Sequence, residues 1–319
     1  MLVCWKFSPE PARAASHTTG AALAKKARHT GSPLAPAGWL AILRRMKTIG
    51  ILGLGIIGRA WARRYAAAGV LAGTWNRTPQ ADAPSALPTP EAVVAAAEAV
   101  QIVVADPPAV ESLLQRILPA LGPGKTVIQS STIDPVSAAK FSALVRRCGA
   151  GYVEAPFTGS KPAAEAGKTV FFMGGDAATI AAVDPLLAHI SESRFSFTTV
   201  EQAASIKLAM NLNLAGQMQA LVESLTFARR AGISDEAFFA VIAQNIAYSG
   251  LTKLKEPKLR AGDFSPQFSV KHMHKDMRLA DATADGSTYP LLKTVRGCLA
   301  SAEARGHGDD DFSSLIQTL

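Results

Sequence analysis

A Gly-x-Gly-x-x-Gly pattern at residues 53–58 has the spacing that binds the phosphates of a dinucleotide. It follows an apolar run at residues 48–52 and precedes an alanine-rich helical stretch at residues 59–68. The first glycine permits a tight turn, the second lets a pyrophosphate approach the backbone, and the third lets the helix pack on the strand. The helix N-terminus then directs N–H groups at the phosphates. The residues expected to contact the cofactor in this loop are Gly53, Gly55, Ile56, Ile57 and Gly58.

The residues after the next predicted strand, 70–75, indicate which dinucleotide is favoured. An NAD site usually has a carboxylate there, which accepts hydrogen bonds from the ribose 2′-hydroxyl. This chain has Asn76, Arg77 and Thr78 instead. Because a guanidinium and a hydroxyl suit a 2′-phosphate, the sequence favours NADP over NAD as the cofactor. The alternative is that Arg77 is a solvated turn residue.

Lys207 and Asn211, four residues apart, could supply acid–base chemistry. They lie in a proline-free stretch, residues 203–231, which predicts one long helix ended by Gly232. The spacing puts both side chains on one helical face, where the amide can fix the ammonium without adding charge. Partial burial would lower the pKa of the lysine toward a value useful for proton transfer. A surface lysine that extends along the helix is the competing interpretation.

The elements that would position these residues alternate between strand and helix. Apolar runs at residues 100–105 and 126–129 flank a helical stretch at residues 110–121, a βαβ arrangement typical of a parallel sheet. Ligands of such sheets bind beyond the carboxyl ends of the strands. Ser131 lies at one of these ends and is a candidate to contact the substrate or the nicotinamide ribose. A helix cap before residue 134 is an equal alternative.

Strand patterns disappear after Gly232, where helices are predicted at residues 235–248, 270–284, 291–305 and 312–319. The predicted fold is an α/β Rossmann-type N-terminal domain, followed by a long linking helix and an all-α C-terminal domain. The predicted segments are a disordered leader at 1–45, a dinucleotide-binding domain at 46–202, an inter-domain helix at 203–232 and a helical domain at 233–319.

The formal net charge of +8 is concentrated near the N-terminus. Residues 1–45 contain seven basic side chains and one acidic one, whereas the other 274 residues contain 26 basic and 24 acidic ones. Three explanations of this basic stretch stay open. It is a non-native extension from an upstream start, with Met46 as the true start, or a tail without function; it is an organelle-targeting segment; or it is a nucleic-acid-binding arm. The nearly neutral remainder argues against nucleic acid as a partner.

Composition argues against several other classes of protein. The apolar run at residues 49–58 has ten residues, about half of what a membrane-spanning helix needs, so no membrane partner is expected. The three cysteines and six histidines show neither disulfide nor metal-ligand spacing. We therefore expect no bound metal and a reducing, cytoplasmic location.

Further segments make the interpretation more specific. They read EAPFTGSKPAAEAG at residues 154–167, IKLAMN at 206–211 and KDMRLA at 275–280. Together with the glycine pattern and WNRT at 75–78, they resemble the β-hydroxyacid dehydrogenase family in order and spacing, from residue 46 to about 315. TGSKP at 158–162, with ADP at 105–107, looks most like the glyoxylate/succinic semialdehyde reductase branch.

This resemblance implies roles for individual residues. Lys207 matches the family's catalytic lysine and Asn211 the asparagine one turn later. Thr158 and Gly159 match the Ser-Gly pair that holds the substrate carboxylate, and Lys275 matches the lysine near the nicotinamide.

Two features depart from the family pattern. Glu201 and Ala203 stand where glycines are usual, which puts the backbone geometry before the catalytic lysine in question. Thr158 replaces the more usual serine and adds a methyl group to the pocket.

The implied function is NADPH-dependent reduction of a small aldehyde-acid, with Lys207 protonating the alkoxide that hydride transfer leaves. The alternatives are an NAD(P)-dependent dehydrogenase of a 3-hydroxyisobutyrate-like acid and a non-catalytic dinucleotide-binding scaffold. Retention of Lys207 argues against the scaffold and against an imine-reducing relative. The resemblance also implies a homodimer or homotetramer that packs through the 203–231 helix.

Overall fold

The computed structural model describes residues 45–284 and 286–319. The predictions made for residues 1–44 therefore lie outside the described residues. Within the described part of the chain, no helix is long and apolar enough to cross a membrane.

A mixed sheet forms the first half of the described chain. Its eight strands in this part of the chain are β1 (Ile49–Leu52), β2 (Leu71–Trp75), β3 (Ala99–Ile102), β4 (Thr126–Gln129), β5 (Gly151–Glu154), β6 (Phe157–Thr158), β7 (Thr169–Gly175) and β8 (Ser191–Phe197). The first five are parallel, in the order β2-β1-β3-β4-β5. β7 pairs antiparallel with β5 and β6 and parallel with β8.

Eleven α-helices occur in residues 45–284 and 286–319. They are α1 (Ile56–Ala67), α2 (Pro90–Ala96), α3 (Pro107–Ile117), α4 (Pro135–Arg147), α5 (Lys161–Ala166), α6 (Ala177–Leu187), α7 (Val200–Arg230), α8 (Asp235–Ile242), α9 (Gly250–Ala261), α10 (Val270–Ala282) and α11 (Pro290–Ala302). α2, α3 and α4 each begin with proline after a capping residue whose side chain accepts a backbone N–H: Thr89, Asp106 and Asp134. Proline fits that first position because its missing N–H would have no partner there.

Hydrophobic cores lie on both faces of the sheet. Ile51 and Ile128 belong to one core, whereas their chain neighbours Leu52 and Val127 belong to the other. This alternation follows from the two-residue period of a strand. A third core, among the helices that follow, includes Leu225, Met273 and Leu299. The predicted order of a Rossmann-type α/β part followed by a mostly helical region is confirmed.

The strand register brings the carboxyl ends of β1, β3, β4 and β5 to one edge of the sheet. Leu52 is paired with Ile102, Ile102 with Gln129, and Gln129 with Glu154. The segments that leave these four strands therefore start side by side.

The predicted long helix is present as α7 but begins at Val200 rather than at residue 203. Thr199 and Gln202 form a capping box, in which each side chain bonds the other's backbone N–H. At 1.5 Å per residue, the 31 residues extend over about 46 Å. Ala203 and Ala204 are buried near its first turn, and Leu221 and Val222 are buried farther along, in the helical core.

Several C-terminal boundaries were wrong. α8 ends at Ile242 rather than at residue 248, and α9 was not predicted, because it contains Pro257, which usually ends a helix. α11 is followed by a five-residue π-helical segment, Glu303–His307, in which Gly306 has the non-helical φ of +93°. The final predicted helix is a 3₁₀ segment, Phe312–Thr318.

Candidate active site

The glycine loop between β1 and α1 is shaped by two close backbone contacts. Gly53 has φ +109°, and a Cβ there would lie 2.2 Å from the carbonyl oxygen of Val103. A Cβ on Gly58 would lie 2.0 Å from the Gly53 carbonyl oxygen, so the helix can approach the loop only without a side chain. A Cβ on Gly55 would meet nothing within 4 Å. Gly55 therefore leaves open the space that a pyrophosphate would occupy.

The N-terminus of α1 is also suited to phosphates. Its N-cap is Gly55, no side chain caps its N–H groups, and its first turn contains no acidic residue. The backbone N–H of Leu54 donates to Oδ1 of Asn76 at 2.9 Å, which ties the loop to the end of β2. Nδ2 of Asn76 donates to the carbonyl oxygen of Thr78 at 2.7 Å. Asn76 thus fixes both the glycine loop and the segment that follows β2. With its uncapped N–H groups, the glycine loop fits a dinucleotide.

A cleft of about 810 Å³ extends from the glycine loop to α7 and α10. Every residue predicted to bind cofactor or substrate, or to act in catalysis, lines it. These residues are Gly53, Gly55, Ile56, Ile57, Gly58, Asn76, Arg77, Thr78, Ser131, Thr158, Gly159, Lys207, Asn211 and Lys275.

Lys207 is almost fully buried, with 8% of its surface exposed, so the surface-lysine interpretation is wrong. Its Nζ donates to Oδ1 of Asn211 at 2.8 Å and lies 5.8 Å from the centre of the Phe157 ring. Burial lowers the pKa of Lys207 to about 8; the Asp276 carboxylate acts in the opposite direction, and the Lys275 ammonium adds to the lowering. The lysine can therefore give up a proton near neutral pH.

Asp276 is a site residue that sequence reasoning missed. It accepts a hydrogen bond from Nδ2 of Asn211 at 2.5 Å, and this orients the amide oxygen toward Lys207. Its other oxygen lies 2.6 Å from Nζ of Lys275, which also donates to the carbonyl oxygen of Thr132 at 2.8 Å. The only available signal was its position beside Lys275, the lysine that the family resemblance places near the nicotinamide.

Arg116 was also missed. Its guanidinium lies 5.0 Å from the centre of the Trp75 ring and bonds both oxygens of Glu91, at 3.1 and 3.3 Å. Trp75 and Arg116 line the same cleft as Arg77. These contacts join α2, α3 and the end of β2, and no local sequence pattern predicts such a grouping.

Ser131 is fixed at the end of β4 by its own hydroxyl, which accepts the N–H of Val104 at 2.9 Å. The alternative role as the helix cap is wrong, because Asp134 caps α4 by accepting the N–H of Ser137 at 2.8 Å. Thr158 ends β6, and Gly159 follows with φ +123°, a conformation that favours glycine.

The replacement of the expected glycines before Lys207 leaves the helix intact. Glu201 and Ala203 both lie in the regular first turn of α7. Ala203 is fully buried, and a Cβ on Gly174 of β7 would lie only 2.8 Å from its methyl group. Gly174 thus supplies the space that a glycine in the helix would otherwise provide.

No group of histidine, cysteine and acidic side chains suited to a metal ion occurs in the described residues. The cleft combines a glycine loop that fits a dinucleotide with the buried Lys207, which a hydrogen bond to Asn211 holds in place and which can donate a proton. This combination is that of an enzyme that uses a dinucleotide cofactor.

Comparison with known proteins assigns the family. Residues 48–202 match the sequence model of the NAD-binding domain of 6-phosphogluconate dehydrogenase. Residues 202–319 match the model described as the NAD-binding part of NADP-dependent 3-hydroxyisobutyrate dehydrogenase. Together the two matches span residues 48–319, so the chain belongs to the β-hydroxyacid dehydrogenase family and is an NAD(P)-dependent oxidoreductase that acts on hydroxyl or aldehyde groups.

Individual relatives are similar over most of the chain. Glyoxylate/succinic semialdehyde reductases 2 (chloroplastic) and 1 of Arabidopsis thaliana are each 28% identical; the matches cover 85% of this chain and 79% and 98% of theirs. The 3-hydroxyisobutyrate dehydrogenase of Mycobacterium tuberculosis, solved with L-serine, is 27% identical. That match covers 86% of this chain and 99% of the other, with a TM-score of 0.78.

Proposed function

We propose that the chain catalyses NADPH-dependent reduction of a small aldehyde-acid of the glyoxylate or succinic semialdehyde type. The observation that carries this proposal is the buried Lys207, held by Asn211 at 2.8 Å on the wall of the cleft that begins at the glycine loop. The names of the two Arabidopsis relatives support the choice of substrate class.

Lys207 performs the proton transfer in this proposal. A reduced nicotinamide cofactor, held by the glycine loop at residues 53–58, would supply the hydride that converts the aldehyde to an alkoxide. One of the three ammonium N–H groups of Lys207 is bonded to Asn211, so two remain for the substrate oxygen. The alkoxide takes a proton from Nζ and becomes a hydroxyl, and the neutral amine regains a proton from solvent.

The acid end of the substrate requires donors that hold a carboxylate. Thr158 provides a hydroxyl and Gly159 a backbone N–H beside it, and both line the cleft with Lys207. Ser131 lines the cleft at the end of β4. In this proposal these residues orient the substrate, and Lys275 supports the nicotinamide end.

Arg77 and Thr78 select NADP in this proposal, because both are exposed in the cleft where the ribose 2′-phosphate would lie. Arg77→Ala is expected to raise the Kd for NADPH about 10-fold or more, since a charge-assisted hydrogen bond is lost. The Kd for NADH should stay unchanged. Fluorescence titration with both cofactors measures this, and an equal loss for NADH would contradict the role of Arg77.

The pH dependence of reduction should follow Lys207, whose pKa is about 8. The protonated lysine is the active form, so kcat/KM for reduction should fall as pH rises through about 8, and kcat/KM for oxidation should rise. Burial also raises the pKa of Glu154 to about 8. The pH profile of kcat/KM measured for Glu154→Gln should show the same inflection as the wild type. Loss of the inflection in that variant would assign the titration to Glu154 rather than to Lys207.

Steady-state rates across a panel test the function itself. The panel comprises glyoxylate, succinic semialdehyde, tartronate semialdehyde and, in the oxidative direction, 3-hydroxyisobutyrate. The 3-hydroxyisobutyrate dehydrogenase that matches the fold favours the alternative, an NAD(P)-dependent β-hydroxyacid dehydrogenase. A higher kcat/KM for 3-hydroxyisobutyrate than for every aldehyde-acid would select that alternative.

We also propose a homodimer or homotetramer that packs through α7, with domain limits at 46–202, 203–232 and 233–319. Phe227 on α7 is 79% exposed and Val241 on α8 is 71% exposed, which leaves apolar surface for a second copy. Light scattering on the purified chain tests the oligomeric state, and a monomer would reject the proposed dimer or tetramer.

A further inference from the structure

The segment that follows β4 is held by buried hydrogen bonds that the proposed reaction does not use. Gln129, the last residue of β4, is fully buried. Its Oε1 accepts the N–H of Ser131 at 2.7 Å, and its Nε2 donates to the Ser131 carbonyl oxygen at 2.9 Å. The same Nε2 donates to Oε1 of Glu154 at 2.9 Å. One amide therefore holds both backbone groups of Ser131 and is itself anchored.

The anchor, Glu154, is a fully buried carboxyl group at the end of β5 and the register neighbour of Gln129. Within the described residues, none of its hydrogen bonds comes from a basic side chain. Its Oε2 instead receives the hydroxyl of Tyr152 at 2.7 Å. Burial raises the pKa of Glu154 against the effect of the two hydrogen bonds, and Asp134 adds to the rise. In either protonation state Oε1 can accept from Gln129, so the anchor persists.

The anchored segment leads directly to the reaction site. Ser131 and Thr132 line the cleft, and the carbonyl oxygen of Thr132 accepts Nζ of Lys275 at 2.8 Å. Lys275 contacts Asp276, which in turn orients Asn211. A displacement of the backbone at Ser131 and Thr132 would therefore alter the surroundings of the proton donor.

We propose that Gln129, anchored by Glu154, is a positioning residue that fixes Ser131 and Thr132 for catalysis. The proposal rests on the proposed function, because the reaction gives Ser131 and Lys275 their roles. A positioning role differs from a purely structural one in a measurable way. Loss of the Gln129 amide should affect exchange at Ser131 and kcat/KM more than its effect on the stability of the fold would explain.

The neighbouring strand offers a matched control. Gln101 on β3 is also fully buried and, by strand alternation, belongs to the opposite face of the sheet from Gln129. It accepts the Tyr65 hydroxyl at 3.0 Å and donates to Oγ of Ser130 at 2.9 Å. Within the described residues, its side chain bonds this segment through the Ser130 hydroxyl and not through a backbone group. Gln101→Leu therefore removes a buried glutamine without releasing the backbone of Ser131.

Hydrogen exchange and kinetics in Gln129→Leu test the proposal. The Ser131 amide loses its acceptor and should exchange about 10-fold faster or more. The Ser130 amide, bonded to the carbonyl oxygen of Ile102 at 2.8 Å, should be unaffected. kcat/KM should fall about 10-fold or more, because small misplacements of positioned groups are costly. Gln101→Leu should lower Tm similarly yet keep wild-type exchange at Ser131 and nearly wild-type kcat/KM.

A second pair of variants applies if Gln129→Leu does not fold. Glu154→Leu removes the anchor and should accelerate exchange at Ser131, whereas Glu154→Gln keeps an acceptor and should restore the protection. Unchanged exchange at Ser131, or equal losses of kcat/KM in Gln129→Leu and Gln101→Leu, would overturn the proposal. If the wild type reduces no substrate of the panel, only the proposed function fails, since the exchange experiment needs no substrate.

Discussion

Lys207→Met is expected to lower kcat for aldehyde reduction by about 10²- to 10⁴-fold, the usual contribution of a general acid. Methionine keeps most of the length and apolar volume of the lysine stem but has no proton to donate. Asn211 holds the Lys207 ammonium in place, and Asp276 in turn orients Asn211. Rapid-mixing measurement of NADPH consumption would quantify the loss.

Substitution of an exposed lysine serves as a control, because it separates the loss of the proton donor from the loss of a positive charge. Lys140 on α4 is about half exposed and pairs with Glu111 at 2.6 Å. Lys140→Met should keep wild-type kcat. Lys207→Met should also keep the wild-type Kd for NADPH, because Arg77 and Thr78, the residues proposed to bind the 2′-phosphate, follow β2 beside the glycine loop, whereas Lys207 is on α7. A Lys207→Met variant that retains more than about a tenth of kcat would reject the lysine as the proton donor.

The parts of the site that the sequence predicts are those whose residues lie close together in the chain. The glycine loop was recognisable because a strand, the motif and a helix follow one another within 20 residues of Thr48. Lys207 and Asn211 were recognisable because helical geometry alone puts residues four apart on one face. Their burial did not follow from the spacing, and it was the family resemblance that favoured a catalytic lysine.

The residues that were missed act across elements. Asp276 reaches Asn211 from α10, Arg116 reaches Trp75 from α3, and Glu154 reaches Gln129 from the neighbouring strand. Such contacts depend on packing and strand register, which the order of residue types does not specify. α9 escaped prediction for a different reason: packing of its buried face stabilises a helix that Pro257 disfavours locally.

Asp311→Ala is expected to destabilise the fold by about 3–5 kcal/mol, because it leaves a buried lysine without its counter-ion. Lys255 is 1% exposed and Asp311 is fully buried, and Nζ lies 2.7 and 2.8 Å from the two carboxylate oxygens. Asp311 also accepts the backbone N–H groups of Gln267, Phe268 and Ser313. The carboxylate thus joins α9, the segment before α10 and the chain end, and its loss removes all of these contacts together.

The same change should weaken ligand binding, because Lys255, Phe268 and Phe312 line the cleft on this side. Urea unfolding monitored by circular dichroism measures the stability loss, and NADPH titration measures the effect on the cleft. Glu236→Ala is the control: Glu236 is mostly exposed and pairs with Arg260, which keeps a second partner in Glu256. That variant should lose less than about 1 kcal/mol. Equal losses in both variants would show that burial of the Lys255–Asp311 pair does not govern the stability of this region.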